Sequence, residues 1–156
     1  MNRSVVDAFV SSAHRVLTTE LGASVSLGEA FYEDDSYVVK GVAAVVGVTG
    51  RLRGMVLLGI SLPTALSLVS QIVGQPFDHL DYMAQSGIAE LGNVVAGRSV
   101  TVLAEAGYHC GITPPAVIVG SDAVIAMPNI PRMVIPLITS IGVVEMQLAL
   151  KENGAS

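Results

Sequence analysis

Glu90 and Asn93 are the polar residues of this sequence whose type and spacing best suit chemistry, because they lie three positions apart in a long segment with helical periodicity. An α-helix turns by about 100° per residue, so side chains three apart point to the same side. The amide of Asn93 does not titrate and cannot be a general base, although it can accept one hydrogen bond and donate another. The pair thus places one anionic group beside one hydrogen-bonding group. The same stripe includes Ser86, Gly97 and Thr101.

The helix that carries this pair is predicted over residues 78–106, with Gly107 at its end. A glycine inside a helix costs about 1 kcal/mol relative to alanine. Gly97 lies on the stripe, and a surface without a side chain there would let the backbone of a partner approach closely. A simpler alternative is a solvated helix face with tolerated glycines. The predicted core face lies opposite the stripe and comprises Ala84, Ile88, Leu91, Val95 and Val102.

The segments before this helix predict a first helix, three strands and a second helix. The first helix is expected over residues 4–21 and ends at Gly22. The strand-like runs cover residues 24–32, 37–49 and 54–60, and the middle run is apolar enough to be covered on both faces. Pro63 begins the second helix, which ends near Val73. The predicted core side of the first helix comprises Val5, Phe9, Ala13, Val16 and Leu17.

After the long helix the pattern returns to strands, and the second half loosely repeats the first. This order predicts an α+β fold with an antiparallel sheet built from hairpins and with helices packed against it. We expect a single domain over residues 1–156 with its last few residues disordered. The later strand-like runs lie at residues 108–112, 116–119, 124–127, 132–140 and 143–150.

Composition excludes several classes of protein. Of 156 residues, 51% are hydrophobic and 13% are charged, which excludes intrinsic disorder. The net charge of −5, with only eight Lys and Arg residues, argues against binding to nucleic acid. A single cysteine excludes an internal disulfide and fits a reducing compartment. The high apolar content is therefore expected to be buried in a core or in a subunit interface.

The segment between Arg53 and Asp78 contains no charge and is long enough to cross a bilayer. It is interrupted by Gly59 and Pro63 and contains several polar residues, so a membrane span is not expected. The first residues also lack the apolar run of a secretory signal. We therefore expect the protein in the cytoplasm.

Other candidate residues favour structural roles. The histidines His14, His79 and His109 are scattered, so neither a metal site nor a His-based catalytic site is expected, and His14 is predicted on an exposed helix face. Cys110 is expected to be an inert buried thiol. The runs EDDS at 33–36 and GRLRG at 50–54 predict turns, the second with solvated arginines.

The stripe and its surroundings resemble the CheC/CheX family of phosphatases of bacterial chemotaxis. The resemblance rests on Ser86-x3-Glu90-x2-Asn93, followed downstream by Pro114 and Pro115 at a spacing slightly short of the usual one. It extends over nearly the whole chain, through VGVTGRLRGMVLLGIS, SGIAELGNVVAGR and ITPPAVIVG. CheC-like proteins carry the motif twice. Here the first helix has Asp7 and Val10 at the equivalent places, so the resemblance implies one site.

The resemblance implies a CheC-like two-layer fold with pseudo-duplicated halves, and removal of phosphate from the phosphoaspartate of a CheY-like response regulator. In that role Asn93 would orient the attacking water, as a glutamine does in small GTPases. Glu90 would bind a lysine of the regulator. The resemblance also implies that Ser86, Gly97, Pro114 and Pro115 contact the partner, that the partner carries any Mg²⁺, and that the chain forms a homodimer.

Two other functions stay open from the sequence. One is a non-catalytic module, related to the CheC-like domain of flagellar switch proteins, that binds a receiver domain or the motor. An intact Glu90–Asn93 pair favours the enzyme over such an adaptor. The other is a small-molecule-binding domain, which would need a concave apolar pocket.

Overall fold

The computed structural model of the chain describes residues 1–153, and the disorder predicted for the last few residues falls largely beyond them. Each helix begins at a side chain that accepts a hydrogen bond from a free backbone N–H. Asp81 caps the long helix by accepting from the N–H of Ala84 at 2.8 Å, so this helix starts four residues later than predicted. The helices are α1 (Arg3–Leu21), α2 (Leu62–Val73) and α3 (Tyr82–Glu105).

The strands form one eight-stranded sheet and one two-stranded sheet, and every pairing is antiparallel. The path through the large sheet is β1-β9-β10-β5-β4-β6, with β2 beside β9 and β7 beside β4, while β3 pairs with β8. The α+β prediction is confirmed. The strands are β1 (Ser26–Leu27), β2 (Phe31–Glu33), β3 (Ser36–Val38), β4 (Val42–Gly50), β5 (Leu52–Ile60), β6 (Cys110–Ile112), β7 (Ala116–Val119), β8 (Val124–Ala126), β9 (Arg132–Thr139) and β10 (Gly142–Glu152).

Two predicted strands are each divided in the structure. The run 24–32 becomes β1 and β2, which both pair with β9 and are separated opposite Pro136. Proline has no N–H to donate, and its carbonyl accepts from the N–H of Gly28 at 2.8 Å, so the ladder breaks at this position. The run 37–49 becomes β3 and β4, because β3 leaves the large sheet to pair with β8.

The two halves of the chain are related by an approximate twofold arrangement. Each half has a long helix (α1 or α3), then a broken edge strand (β1–β2 or β6–β7), then a short strand (β3 or β8) and a hairpin (β4–β5 or β9–β10). Each broken edge strand pairs with the hairpin of the other half, and β5 meets β10 at the centre of the sheet. The helices α1 and α3 pack against each other on one face of the sheet.

The main core lies between the helices and this face of the sheet, and smaller apolar clusters lie under the β3–β8 sheet on the other face. All five residues predicted for the core side of α1 are buried. Two predictions are wrong. Val102 is 41% exposed, because the residues opposite it on α1 are the small Ser11 and Ser12, which leave an open groove. His14 is half-buried, because its Nε2 lies 2.8 Å from the carbonyl oxygen of Val25.

Candidate functional site

The predicted stripe lies on the outer side of α3, opposite the face that packs on the sheet. Ser86, Glu90 and Thr101 are exposed, while Asn93 and Gly97 are half-buried. The hydroxyl of Thr101 donates to the carbonyl of Gly97 at 3.0 Å, so this threonine is bound to its own helix. The structure therefore brings Ser86, Glu90, Asn93 and Gly97 onto one surface of one rigid element.

The three glycines of α3 serve different purposes. A β-carbon on Gly92 would lie 3.0 Å from the β-carbon of Ala44, so this glycine lets the helix approach β4 closely. A β-carbon on Gly87 would contact Val69 of α2 at 3.4 Å. A β-carbon on Gly97 would have no neighbouring atom within 4 Å. Gly97 is thus the one of these three glycines that leaves bare helix backbone facing open space, as the sequence predicted.

Glu90 stands at the rim of a groove of about 410 Å³ where α1, α2 and α3 meet. We call it the three-helix groove. The groove is lined by two carboxylates, that of Glu90 and that of Glu20. Glu20 lies in the last turn of α1, where the negative end of the helix dipole disfavours an acidic side chain. Sequence reasoning did not single out Glu20, although its place near a helix C-terminus was a signal. The remaining lining residues are Val16, Ile72, Val73, Met83, Ser86, Gly87, Leu91 and Val94.

A second groove, of about 340 Å³, lies between α1 and α3 further along the same face. Two arginines line it, Arg15 from α1 and Arg98 from α3, and we call it the arginine groove. Sequence reasoning missed both residues, because only the packing of α1 against α3 brings them together. The other lining residues are Ser11, Ser12, Gly97, Thr101 and Val102.

Asn93 lies between these two grooves along α3 and lines neither of them. Of the residues near it on α3, Val94 lines the three-helix groove and Gly97 lines the arginine groove. The surface around Asn93 therefore has carboxylates on one side and guanidinium groups on the other. Such an arrangement can orient a partner that carries both signs of charge.

Pro114 and Pro115 lie away from the stripe, in the break between β6 and β7 at the edge of the large sheet. Pro114 is exposed and Pro115 is half-buried. Thr113 anchors this break to β4, because its hydroxyl accepts from the N–H of Gly47 at 2.8 Å and its own N–H donates to the Gly47 carbonyl at 2.9 Å. Both β6 and β7 contact α3, so the prolines are held at a fixed edge beside the helix.

The first helix carries no equivalent pair. The buried residues of α1 and α3 follow one pattern, in which Val5, Ala8 and Phe9 correspond to Ile88, Leu91 and Gly92. On that alignment Asp7 corresponds to Glu90 and Val10 to Asn93. The carboxylate of Asp7 lies 3.8 Å from Arg3 on the same helix. Only α3 therefore presents a carboxylate and an amide together.

The described residues contain no group of three or more His, Cys, Asp and Glu side chains that could hold a metal ion. Nδ1 of His79 lies 2.6 Å from the carboxylate of the adjacent Asp78. Cys110 is a free thiol and is only half-buried, where the sequence predicted burial. No helix within residues 1–153 is both long enough and apolar enough to cross a membrane.

The sequence profile of the family described as chemotaxis phosphatase CheX matches residues 42–137, which include Glu90, Asn93 and both prolines. The "CheY-P phosphatase CheX" of Thermotoga maritima is 32% identical over 123 residues, covering 78% of this chain and 79% of the relative.

Solved structures agree with this match. The CheX of the CheX–CheY–BeF3–Mg²⁺ complex from Borrelia burgdorferi is 27% identical with a TM-score of 0.83, covering 94% of this chain and 97% of that one. A CheC-like superfamily protein from Shewanella is 20% identical with a TM-score of 0.87, covering 97% and 99%, which confirms the CheC-like fold. The chain belongs to the CheX family.

Proposed function

We propose that this chain removes the phosphoryl group from the phosphoaspartate of a CheY-like response regulator and so ends a chemotaxis signal. The observation that carries the proposal is the Glu90–Asn93 pair on the outer side of α3, beside the bare backbone of Gly97, in a chain of the CheX family. The relative from Thermotoga maritima bears the name of this activity, and the Borrelia burgdorferi relative was solved with CheY.

Asn93 orients the attacking water in this proposal. An acyl phosphate is already activated, so its hydrolysis needs mainly an aligned water and stabilisation of the charge on the phosphoryl oxygens. The amide oxygen of Asn93 can accept a hydrogen bond from the water while its NH₂ donates toward a phosphoryl oxygen. Its half-buried position on a regular helix limits the conformations that the side chain can adopt, which favours one water position.

Glu90 holds the regulator in register. Its exposed carboxylate can pair with a lysine beside the phosphorylated aspartate, and a charge-assisted hydrogen bond is about twice as strong as a neutral one. The apolar floor of the three-helix groove can accept the methylene stem of such a lysine, since long cationic side chains bury their stems against apolar surface.

The docking surface extends from Ser86 to Gly97 along α3, with Gly97 leaving room for a loop of the regulator. Pro114 and Pro115 form a second, rigid contact at the adjacent sheet edge. Any Mg²⁺ arrives with the phosphorylated regulator, and this chain contributes the water-orienting amide and the docking carboxylate. The unpaired thiol of Cys110 fits a reducing compartment, and we place the reaction in the cytoplasm.

We also propose that the chain works as a twofold homodimer joined through sheet strands. In the small sheet, Val38 and Val124 lie opposite each other and are 47% and 62% exposed. At the β9–β10 hairpin, Ile138 and Val143 lie opposite each other and are 44% and 42% exposed. Adjacent apolar side chains on a sheet favour burial against a second subunit.

The test is to mix the purified protein with a panel of phosphorylated receiver domains and to time the release of phosphate. We expect one or more receivers to lose phosphate faster than they do alone. Affinity for a receiver trapped with beryllium fluoride is measured in parallel. Binding without accelerated hydrolysis for any receiver would contradict the enzyme and favour the adaptor function.

A further inference from the structure

The arginine groove gathers two cations of a protein that has few. The chain has eight Lys and Arg residues and a net charge of −5. Four ion pairs occur among the described residues, and three of them use Arg3, Arg51 and Arg132. None of the four involves Arg15 or Arg98, and both of these side chains are exposed at the groove. The two guanidinium groups are thus available to an anionic partner.

Arg15 and Arg98 occupy equivalent positions on the two long helices. The alignment that pairs Val5 with Ile88 also pairs Arg15 with Arg98. Because α1 and α3 pack side by side, this equivalence turns both arginines toward one groove. Two like charges lining one groove repel each other, and no carboxylate lines the groove to offset the repulsion. The pair therefore adds nothing to the stability of the free chain through ion pairing.

The groove is continuous with the surface proposed for the phosphatase reaction. Gly97 and Thr101 belong both to the stripe that carries Glu90 and Asn93 and to the lining of the arginine groove. A receiver placed over Asn93 with a loop at Gly97 would also cover this groove. The preference of this groove for an anionic occupant therefore comes from the two exposed arginines, since the hydroxyl of Ser11 donates to the carbonyl of Ala8 and Ser12 is buried.

We propose that Arg15 and Arg98 bind acidic side chains of the phosphorylated receiver and, together with Glu90 at the other end of the stripe, determine the orientation in which it docks. This inference rests on the proposed function. A receiver with a basic group near its phosphoaspartate and an acidic segment further away fits the surface in one direction only. In the reverse direction, like charges meet at both ends, and such contacts disfavour the wrong register.

Arg15→Glu and Arg98→Glu test this inference, each in the full chain and each compared with Arg53→Glu. Arg53 is a matched control, because it is exposed and also lies outside the four ion pairs. It follows the buried Leu52 on β5, and because side chains alternate along a strand, Arg53 faces the side of the sheet opposite to that of Leu52. We expect KM for the phosphorylated receiver to rise by about tenfold for each groove variant, with kcat little changed, because charges at the edge of an interface act on association. The control should leave KM nearly unchanged.

A second readout is the salt dependence of affinity for the beryllium fluoride-trapped receiver. Wild-type affinity should fall as salt rises, and the groove variants should show a weaker dependence, because fewer ion pairs form across the interface. Equal KM values for Arg98→Glu and Arg53→Glu would overturn the inference while leaving the phosphatase proposal intact. If no receiver is dephosphorylated, the phosphatase proposal fails, and the binding comparison still tests the groove.

Discussion

At the scale of single residues, the proposed function assigns two separable tasks to Asn93 and Glu90. Asn93 is half-buried between the two grooves, whereas Glu90 is exposed at the rim of the three-helix groove. A group that acts mainly in the transition state affects kcat, and a group that holds the partner affects binding as well. Substitutions at the two positions should therefore give different kinetic signatures.

Replacement of Asn93 by alanine tests the water-orienting role. We expect Asn93→Ala to slow dephosphorylation by at least about 100-fold, the loss that follows removal of one transition-state hydrogen bond. Affinity for the receiver trapped with beryllium fluoride should be retained. Stability should change by less than about 0.5 kcal/mol, because the residue is outside the core. Full activity of Asn93→Ala in a phosphate-release assay would exclude this mechanism.

Replacement of Glu90 should weaken binding and turnover together. If Glu90 pairs with a lysine of the regulator, Glu90→Ala removes both the charge and the hydrogen-bond acceptor, and Glu90→Gln keeps only an uncharged acceptor. Glu90→Gln should therefore recover only part of the affinity for the receiver and part of the turnover that Glu90→Ala loses. Titration of the trapped receiver against both variants measures this difference. Unaltered affinity in Glu90→Ala would show that the carboxylate does not hold the partner.

At the scale of secondary-structure elements, α3 combines a face that fits the sheet closely with a face that is left open. Gly92 permits close packing on Ala44, whereas Gly97 faces open space. A glycine lowers helix stability, and at Gly97 it does not improve packing in return, so a glycine at this position suits a docking role. A side chain at position 97 should then raise the stability of the protein and lower its affinity for the receiver.

Gly97→Ala and Gly97→Leu form a graded pair for this prediction. Both should stabilise the protein, by up to about 1 kcal/mol, because each is a better helix former than glycine and a β-carbon at this position would meet no atom within 4 Å. Receiver affinity should fall, and more for leucine than for alanine, because the larger side chain fills the space of the partner loop. Chemical denaturation and receiver binding are the two measurements. If Gly97→Leu leaves the affinity for the receiver unchanged, the docking surface lies elsewhere.

At the scale of the whole molecule, the approximate twofold arrangement creates two equivalent helix faces, and of these two the face on α3 carries the Glu90–Asn93 pair. Asp7 and Val10 stand where a second pair would lie, and Asp7 is near Arg3 instead. Asp7→Ala should therefore leave turnover unchanged. The exposed ion pair contributes little, so stability should fall by less than about 1 kcal/mol. A clear loss of turnover in this variant would indicate a second active site on α1.

The association of whole molecules gives a further prediction. Because apolar side chains on β3, β8, β9 and β10 are exposed, we expect the protein to have twice the mass of one chain when measured by light scattering at micromolar concentration. Val124→Lys would place a charge in the exposed apolar pair of the small sheet and should shift the mass toward the monomer. A monomeric mass for the wild type would contradict the dimer.

The sequence by itself determined the parts that depend on near neighbours along the chain. Helix ends follow local capping, as at Gly22 and Gly74, which adopt left-handed backbone, and the outward placement of Glu90 beside Asn93 follows from helical spacing. Only the tertiary structure decided the rest. The breaks in the predicted strands depend on partners far along the chain, such as Pro136 opposite Gly28. Glu20 and Glu90 line one groove, and Arg15 and Arg98 line the other, in which Val102 is exposed. Both grooves depend on the packing of α1 against α3, and no local sequence pattern indicates that contact.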